Sequence, residues 1–192
     1  MTDTLEQRLE AILRGSPSMM TALTLARSLE LPDWLMVSGS VYQRVWNHLT
    51  GRDPDYGVRD YDLAYFDDSD TSYEAEDVHI RRAAAFPSPF GEMLEVRNQA
   101  RVHLWFEAHF GEPYAPLTSS AEALSRFVAP CYGVGVRLEA DDSLTVAAPF
   151  GLEDLFSMTI RPNPNRPLAK GWAKTTASAR ARWPEVKVVD PA

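Results

Sequence analysis

Cysteine, lysine and long apolar runs are all scarce in this sequence of 192 residues. Cys131 is its single cysteine, so neither an internal disulfide nor a cysteine-built zinc site can form. No run of 18 apolar residues is present, which excludes a membrane-spanning helix. The acidic first residues lack the apolar segment and cleavage site of a secretory signal. Together these features predict a cytoplasmic protein with no membrane partner.

Positive charge is also in short supply. Nineteen Lys and Arg residues stand against 27 Asp and Glu residues, which gives a formal net charge of −8. Proteins that bind long nucleic acids carry a basic footprint, so we expect no extended nucleic acid among the partners. The content of 45 % hydrophobic and 24 % charged residues is that of a folded globular chain and argues against intrinsic disorder.

Several catalytic signatures are missing as well. The sequence holds no Gly-x4-Gly-Lys-Ser/Thr loop, which excludes a P-loop nucleotide site. Ser40 is followed by Val41 and Tyr42, so it is not the nucleophile of a Gly-x-Ser-x-Gly hydrolase motif. His103 and Glu107 have helical spacing, but no second His or Cys completes a zinc set.

Hydrophobic periodicity and breaker residues predict alternating helices and strands. The predicted helices cover 4–14, 17–29, 41–49, 71–85, 100–110, 120–127 and 168–182. The predicted strands cover 34–37, 60–66, 93–96, 131–138, 144–147 and 156–160. This order indicates an α/β (α+β) fold with a mixed sheet flanked by helices. We expect one domain over 1–192, with N-terminal helices in 1–30 and a C-terminal strand pair and helix in 131–192.

The most informative feature is a Gly39-Ser40 turn that follows a buried strand and opens a helix. The first backbone N–H groups of a helix have no internal partners and carry positive partial charge. Glycine lets a phosphate approach the backbone, and the Ser40 hydroxyl adds a donor. This arrangement predicts a binding site for a polyphosphate.

Carboxylates on the next two predicted strands complement that turn. Asp60 and Asp62 are two residues apart in a strand, so both side chains face the same side. Two converging carboxylates suit Mg²⁺ and would repel each other without a cation. Glu95 lies between apolar residues in a later strand, where a lone acid is costly unless it is paired or binds a metal.

The order of these motifs resembles the polymerase-beta-type nucleotidyltransferase superfamily. The matching stretches are Val37-Ser38-Gly39-Ser40, Asp60-Tyr61-Asp62 and Leu94-Glu95-Val96. Longer phrases at 39–41, 45–47, 60–67, 95–103 and 148–156 also resemble a bacterial nucleotidyltransferase-like group of unassigned substrate. The resemblance spans about residues 34–184.

The resemblance implies transfer of a nucleoside monophosphate from a nucleoside triphosphate (NTP) such as ATP to an acceptor that the sequence does not identify, with release of pyrophosphate. Mg²⁺, or Mn²⁺ in its place, would be the cofactor. Gly39 and Ser40 would bind the triphosphate. Asp60 and Asp62 would be the metal ligands, and Glu95 would be the third carboxylate.

Alternatives to this reaction stay open on the sequence. Arg101, which follows Glu95 closely, is a candidate phosphate contact, but a salt bridge on a surface helix is an equal interpretation. The fold could also serve as a nucleotide-binding or protein-interaction module without turnover. A metal-dependent phosphoesterase, which would hydrolyse its substrate without transfer, is the third hypothesis.

Overall fold

Capping side chains set the starts of the first two helices. The computed structural model describes residues 3–191. Helix α1, Leu5–Arg14, begins after Thr4, which forms a reciprocal capping box with Gln7. Helix α2, Pro17–Ser28, begins after Ser16, whose hydroxyl accepts a hydrogen bond from the Met19 N–H. The Ser-Pro helix start predicted from the sequence is therefore confirmed.

A mixed sheet forms the centre of the molecule. Within residues 3–191 it contains β1 (Leu35–Val37), β2 (Tyr61–Tyr65), β3 (Leu94–Asn98), β4 (Gly135–Leu138) and β5 (Leu144–Ala147). The strand order is β3-β2-β1-β4-β5, and β2 and β3 are parallel whereas the other neighbouring pairs are antiparallel. Two short parallel strands, β6 (Thr159–Ile160) and β7 (Lys187–Val188), form a separate pair. The predicted mixed sheet is confirmed.

The remaining helices flank these strands and connect them. They are α3 (Gly39–Leu49), α4 (Tyr73–Ala84), α5 (Phe90–Met93), α6 (Phe106–Phe110), α7 (Ser120–Leu124), α8 (Glu153–Phe156) and α9 (Trp172–Arg182). Two 3-10 turns cover Gln99–Leu104 and Pro130–Tyr132. No helix in the described part of the chain is long and apolar enough to cross a membrane.

Two buried tryptophans connect the C-terminal helix to the rest of the core. Trp46 on α3 and Trp183 after α9 are both fully buried, and their ring centroids are 5.4 Å apart. The Trp183 Nε1–H donates to Asn47 Oδ1 at 2.9 Å, and the Trp46 Nε1–H donates to the Leu155 carbonyl at 3.0 Å. Both polar atoms of these large apolar side chains are thus satisfied inside the core.

Three of the predicted elements are shorter in the structure, or are interrupted by a turn. A single helix over 100–110 was expected, but a 3-10 turn and α6 are separated at Trp105. Trp105 is 38 % exposed, so core packing does not select one continuous helix there. The strand expected over 131–138 begins only at Gly135, because Pro130 opens a 3-10 turn before it. The strand expected over 156–160 is reduced to β6, after helix α8.

The start of α4 is also displaced from its predicted cap. Asp70 or Ser69 was expected at this position, but Ser72 is the N-cap and its hydroxyl accepts from the Ala75 N–H. Asp70 instead accepts from the Ser72 N–H in a turn one step earlier. Side-chain acceptors spaced two residues apart compete for the same role, and the sequence alone does not rank them.

Candidate active site

Strand register brings two of the predicted carboxylates side by side. Asp62 on β2 is directly opposite Glu95 on the parallel strand β3, and directly opposite Val37 on β1. Neighbouring strands lie about 4.8 Å apart, and paired residues project to the same face. The distant segments that carry Asp62 and Glu95 therefore meet on one side of the sheet.

Asp60 adds a third negative charge at this point. It precedes the first residue of β2 and is half-buried. Burial is the main cause that raises the pKa of Asp62 from 3.8 to about 6. The charges of Asp60 and Glu95 contribute to this rise, whereas a hydrogen bond with Ser38 and the charge of Arg97 oppose it. Asp60 and Glu95 are thus close enough to Asp62 for their negative charges to oppose its ionisation.

Asp62 and Glu95 open into a small cavity of about 170 Å³, whereas Asp60 is not among its lining residues. Asp62 and Glu95 form one side of it, together with Arg97 on the same strand as Glu95. The Arg97 guanidinium lies 3.9 Å from the Glu95 carboxylate, and both side chains are half-exposed. The remaining lining residues are Val37, Ser38, Leu63, Ala64, Gln99, Ser120, Ala123, Leu124 and Phe127.

The start of α3 lies beside the same cavity. Ser38 has φ 62° and ψ −136°, a conformation that is costly for a residue with a Cβ atom. The Val41 and Tyr42 N–H groups both donate to the Ser38 carbonyl, so those of Gly39 and Ser40 precede the first intrahelical bonds. The strained turn thus leaves the Gly39 and Ser40 N–H groups without intrahelical acceptors at the start of α3.

Ser40 itself is placed differently from the sequence expectation. Its side chain is fully buried, and its hydroxyl donates to the Val37 carbonyl at 2.8 Å. The serine that lines the cavity is Ser38, two positions earlier in the same motif. A Cβ atom on Gly39 would lie 2.7 Å from Gln43 Nε2, so the Gln43 side chain would have to move to admit one.

Arg101 is engaged away from the cavity. Its Nη1 lies 2.5 Å from Glu76 Oε2, and its Nε donates to the Thr71 carbonyl at 3.1 Å. Glu76 Oε1 accepts from the Asn98 N–H at 2.7 Å at the end of β3. Arg101 and the buried Glu76 therefore connect α4 to β3, whereas Arg97 is the arginine that lines the cavity.

The donor chemistry of the site fits a hard divalent cation. Between residues 3 and 191, no set of three or more His, Cys, Asp or Glu side chains is arranged to hold a metal by itself. Mg²⁺ rarely uses an all-protein cage, since it retains waters and binds one or two carboxylates plus substrate phosphates. Burial and, after it, the charges of Asp60 and Glu95 disfavour the ionised form of Asp62, which a bound cation would favour.

Comparison with family models identifies the family of this chain. A model described as "Nucleotidyltransferase" matches residues 24–188. The chain belongs to this nucleotidyltransferase family. The match includes β1, the start of α3, β2 and β3, and every residue of the candidate site predicted from the sequence lies within it.

Solved structures agree with the family at the level of the fold. The chain is 29 % identical to a protein whose structure is described as revealing a CCA-adding enzyme head domain, with a TM-score of 0.77 and coverage of 100 % of this chain and 98 % of the other. A tRNA-processing enzyme in an apo form is 19 % identical, with a TM-score of 0.51; 98 % of this chain matches 46 % of that one. A search of curated proteins gives no match to this chain.

Sequence reasoning missed several side chains that line the cavity. Ser38 lies within the motif Val37-Ser38-Gly39-Ser40, so the sequence could have marked it as a site residue. Ser120 and Phe127 come from α7 and the turn after it, far along the chain from the acids. Only the folding of that segment over the sheet brings them to the site, and no local pattern marks them.

Proposed function

We propose that this nucleotidyltransferase family member moves a nucleoside monophosphate from a nucleoside triphosphate, ATP among them, to an acceptor hydroxyl, with release of pyrophosphate. The observation that carries the proposal is the register of Asp62 opposite Glu95, beside the turn before α3 from which Ser38 lines the same cavity. The 29 % identity with the protein described as having a CCA-adding enzyme head domain supports a nucleotide-adding reaction.

The carboxylates would hold the cofactor. Asp60 and Asp62 are the proposed ligands of Mg²⁺, with Mn²⁺ as an alternative, and Glu95 completes the acidic set. Bound divalent cations supply charge neutralisation at the transferring phosphate and make the attacking hydroxyl more acidic. The half-exposed Glu95 would in addition accept the proton of that hydroxyl.

The bond changes define the roles of the other residues. The acceptor oxygen bonds to the α-phosphorus while the bond from that phosphorus to the β-phosphate bridging oxygen breaks, and the electron pair leaves with pyrophosphate. The Gly39 and Ser40 N–H groups and the Ser38 hydroxyl would hold the β- and γ-phosphates. We assign Arg97 to a phosphate contact, and Arg101 to positioning β3 through Glu76. Most of the acceleration would come from orientation and charge stabilisation.

The first test measures pyrophosphate release with ATP, Mg²⁺ and a panel of hydroxyl acceptors. Asp60→Asn and Asp62→Asn should each lower the rate by at least about a hundredfold, because each removes a charge that holds the cation. Asp68→Asn, which removes a nearby acid outside the cavity lining, should leave the rate within about twofold. Retention of full activity in a folded Asp60→Asn/Asp62→Asn variant would refute the metal role.

A nucleotide-binding module without turnover is the second candidate. It is favoured by the engagement of the Ser40 hydroxyl with Val37 and of Arg101 with Glu76, which removes two donors expected for catalysis. Calorimetry with ATP and Mg²⁺ separates the candidates when it is combined with the release assay. Binding without pyrophosphate release across the whole panel would support the module, and release with any acceptor would exclude it.

A further inference from the structure

A second cavity continues outward from the carboxylate cavity. It has a volume of about 480 Å³, within the usual size range of small-molecule sites. Arg97, Gln99, Ala123 and Phe127 line both spaces, so the two are contiguous. We call the outer space the side cleft, defined by Trp105, Phe106, Phe110, Tyr114, Arg126, Arg166 and Lys170.

Aromatic rings form one wall of the side cleft. The Phe106 ring centroid lies 4.4 Å from that of Tyr114 and 4.7 Å from that of Phe110, and Trp105 lies 6.3 Å from Phe110. Trp105 is 38 % exposed and Phe110 is 49 % exposed. These rings present open faces beside a cavity, which is the surface on which a nucleobase stacks.

Positive charge surrounds the aromatic wall. Among the described residues that line the side cleft, Arg97, Arg126, Arg166 and Lys170 face a single acid, Glu112. Arg166 pairs with Glu112, Arg126 pairs with Glu122 at 3.1 Å, and Arg97 lies 3.9 Å from Glu95. The Lys170 ammonium donates to the Gly111 carbonyl at 3.1 Å. Among the described residues that line the cleft, Lys170 is therefore the cation whose side chain has no carboxylate partner, and its charge is complementary to an anion such as a phosphate.

An unsatisfied hydroxyl lines the inner cavity. Ser120 is fully buried and lines the carboxylate cavity, and its Oγ has no hydrogen-bond partner in the described part of the chain. Buried hydroxyls in folded proteins are normally paired, and an orphan next to a cavity indicates a ligand or water that completes it. This observation is independent of the charges and rings of the side cleft.

We propose that the side cleft binds the acceptor, and that the acceptor is a nucleotide unit, a base carrying a phosphate. This inference rests on the proposed transfer reaction at the carboxylates. The base stacks on the aromatic wall at Trp105 and Phe110, and its phosphate contacts Lys170. The sugar hydroxyl then points through the shared opening toward Asp62 and Glu95. A free mononucleotide and the last nucleotide of a short single strand share this chemistry.

Tryptophan fluorescence gives a direct test of the stacking. Trp105 is the only tryptophan with substantial exposure, since Trp34, Trp46, Trp172 and Trp183 are at most 7 % exposed. AMP and a 5′-phosphorylated trinucleotide are titrated separately into the full chain in EDTA, where no transfer occurs. Saturable quenching by either probe is expected, and comparison of the two affinities identifies the source. Absence of quenching with both would overturn the proposal.

Variants on the cleft give the second arm, with affinities measured by calorimetry. Lys170→Glu and Trp105→Ala should each weaken AMP binding at least about tenfold. Lys187→Glu makes the same charge change on β7, and Tyr73→Ala removes an exposed ring on α4; both should bind within twofold of the parent chain. Equal effects of Lys170→Glu and Lys187→Glu would show a general charge effect and contradict the assignment.

The third arm separates the acceptor from the incoming triphosphate. AMP quenching is repeated with a saturating nonhydrolysable ATP analogue and Mg²⁺. Quenching should persist, and its loss by competition would show that the cleft holds the triphosphate's own base, which overturns the inference. Pyrophosphate release without binding of AMP or the trinucleotide would refute acceptor binding in the side cleft but leave the proposed transfer reaction standing. Binding without pyrophosphate release would support nucleotide binding in the side cleft and refute the transfer reaction.

Discussion

Asp62 lies at the inner end of the candidate site, with Asp60 before it in the chain and Glu95 beside it on β3. Burial and the two neighbouring charges raise the pKa of Asp62 to about 6, from 3.8 in an unperturbed chain. The folded protein therefore binds a proton at this group more readily than the unfolded chain does. Stability from this group is present below about pH 4 and is lost as the pH rises to about 6.

Replacement of this carboxylate should make the cation-free protein more stable while abolishing transfer. A pKa raised from 3.8 to about 6 corresponds to about 3 kcal/mol at pH 7 to 8, which Asp62→Asn removes. Urea unfolding in EDTA at pH 4 and at pH 7.5 measures this gain, which should be small at pH 4. An Asn variant less stable than the parent at pH 7.5 would contradict the proposed repulsion.

At the scale of elements, the approach of β4 to α7 positions one edge of the site. A Cβ atom on Gly133, just before β4, would lie 2.6 Å from the Leu124 carbonyl oxygen at the end of α7. That obstacle is backbone, so it cannot rotate away as a side chain would. Helix α7 also carries Ser120 and Ala123, which line the cavity. The glycine thus permits the close contact that places these residues over the sheet.

Gly133→Ala should be destabilising by about 1–3 kcal/mol, because the added methyl forces α7 and the turn before β4 apart. Its φ of −82° is ordinary for alanine, so the effect reports the close approach alone. Chemical denaturation measures the change. Gly171→Ala is the matched control, since its Cβ atom would meet nothing within 4 Å, and it should change stability by less than about 0.5 kcal/mol.

At the scale of the whole molecule, the segment that follows α9 packs into the core beside α3. Trp183, which follows α9, packs against Trp46 of α3 and hydrogen-bonds Asn47. Helix α3 begins at the candidate site, so this contact couples the C-terminal helix to the elements that carry the chemistry. Shared burial of this kind favours a single cooperative unfolding unit.

Unfolding should therefore be two-state, with coincident transitions by far-ultraviolet circular dichroism and tryptophan fluorescence. Trp183→Ala should lower the free energy of unfolding by about 3–5 kcal/mol and shift both transitions together. The exposed Trp105→Ala is the control and should shift them little. Two separated transitions, with the fluorescence change alone affected by Trp183→Ala, would show that residues 131–192 unfold independently of the rest.

Local signals in the sequence accounted for much of the architecture. The Ser16-Pro17 helix start, the Gly39-Ser40 turn after a buried strand and the hairpin between β4 and β5 all depend on residues close in the chain. Such features are decided by capping, glycine and alternation, and the mixed sheet follows from their order. The failures came where neighbouring caps competed or where Pro130 and Trp105 interrupted an apolar pattern.

The sequence by itself determined the family, the order of the elements and the residue types at the carboxylate motif, because these are properties of short segments. Only the tertiary structure decided that Asp62 lies opposite Glu95, that the Ser40 hydroxyl is engaged by Val37, and that Arg101 serves Glu76. It also brought α7 and the aromatic wall to the carboxylates. These contacts join segments far apart in the chain, and their geometry depends on how all the layers pack together, which no local pattern encodes.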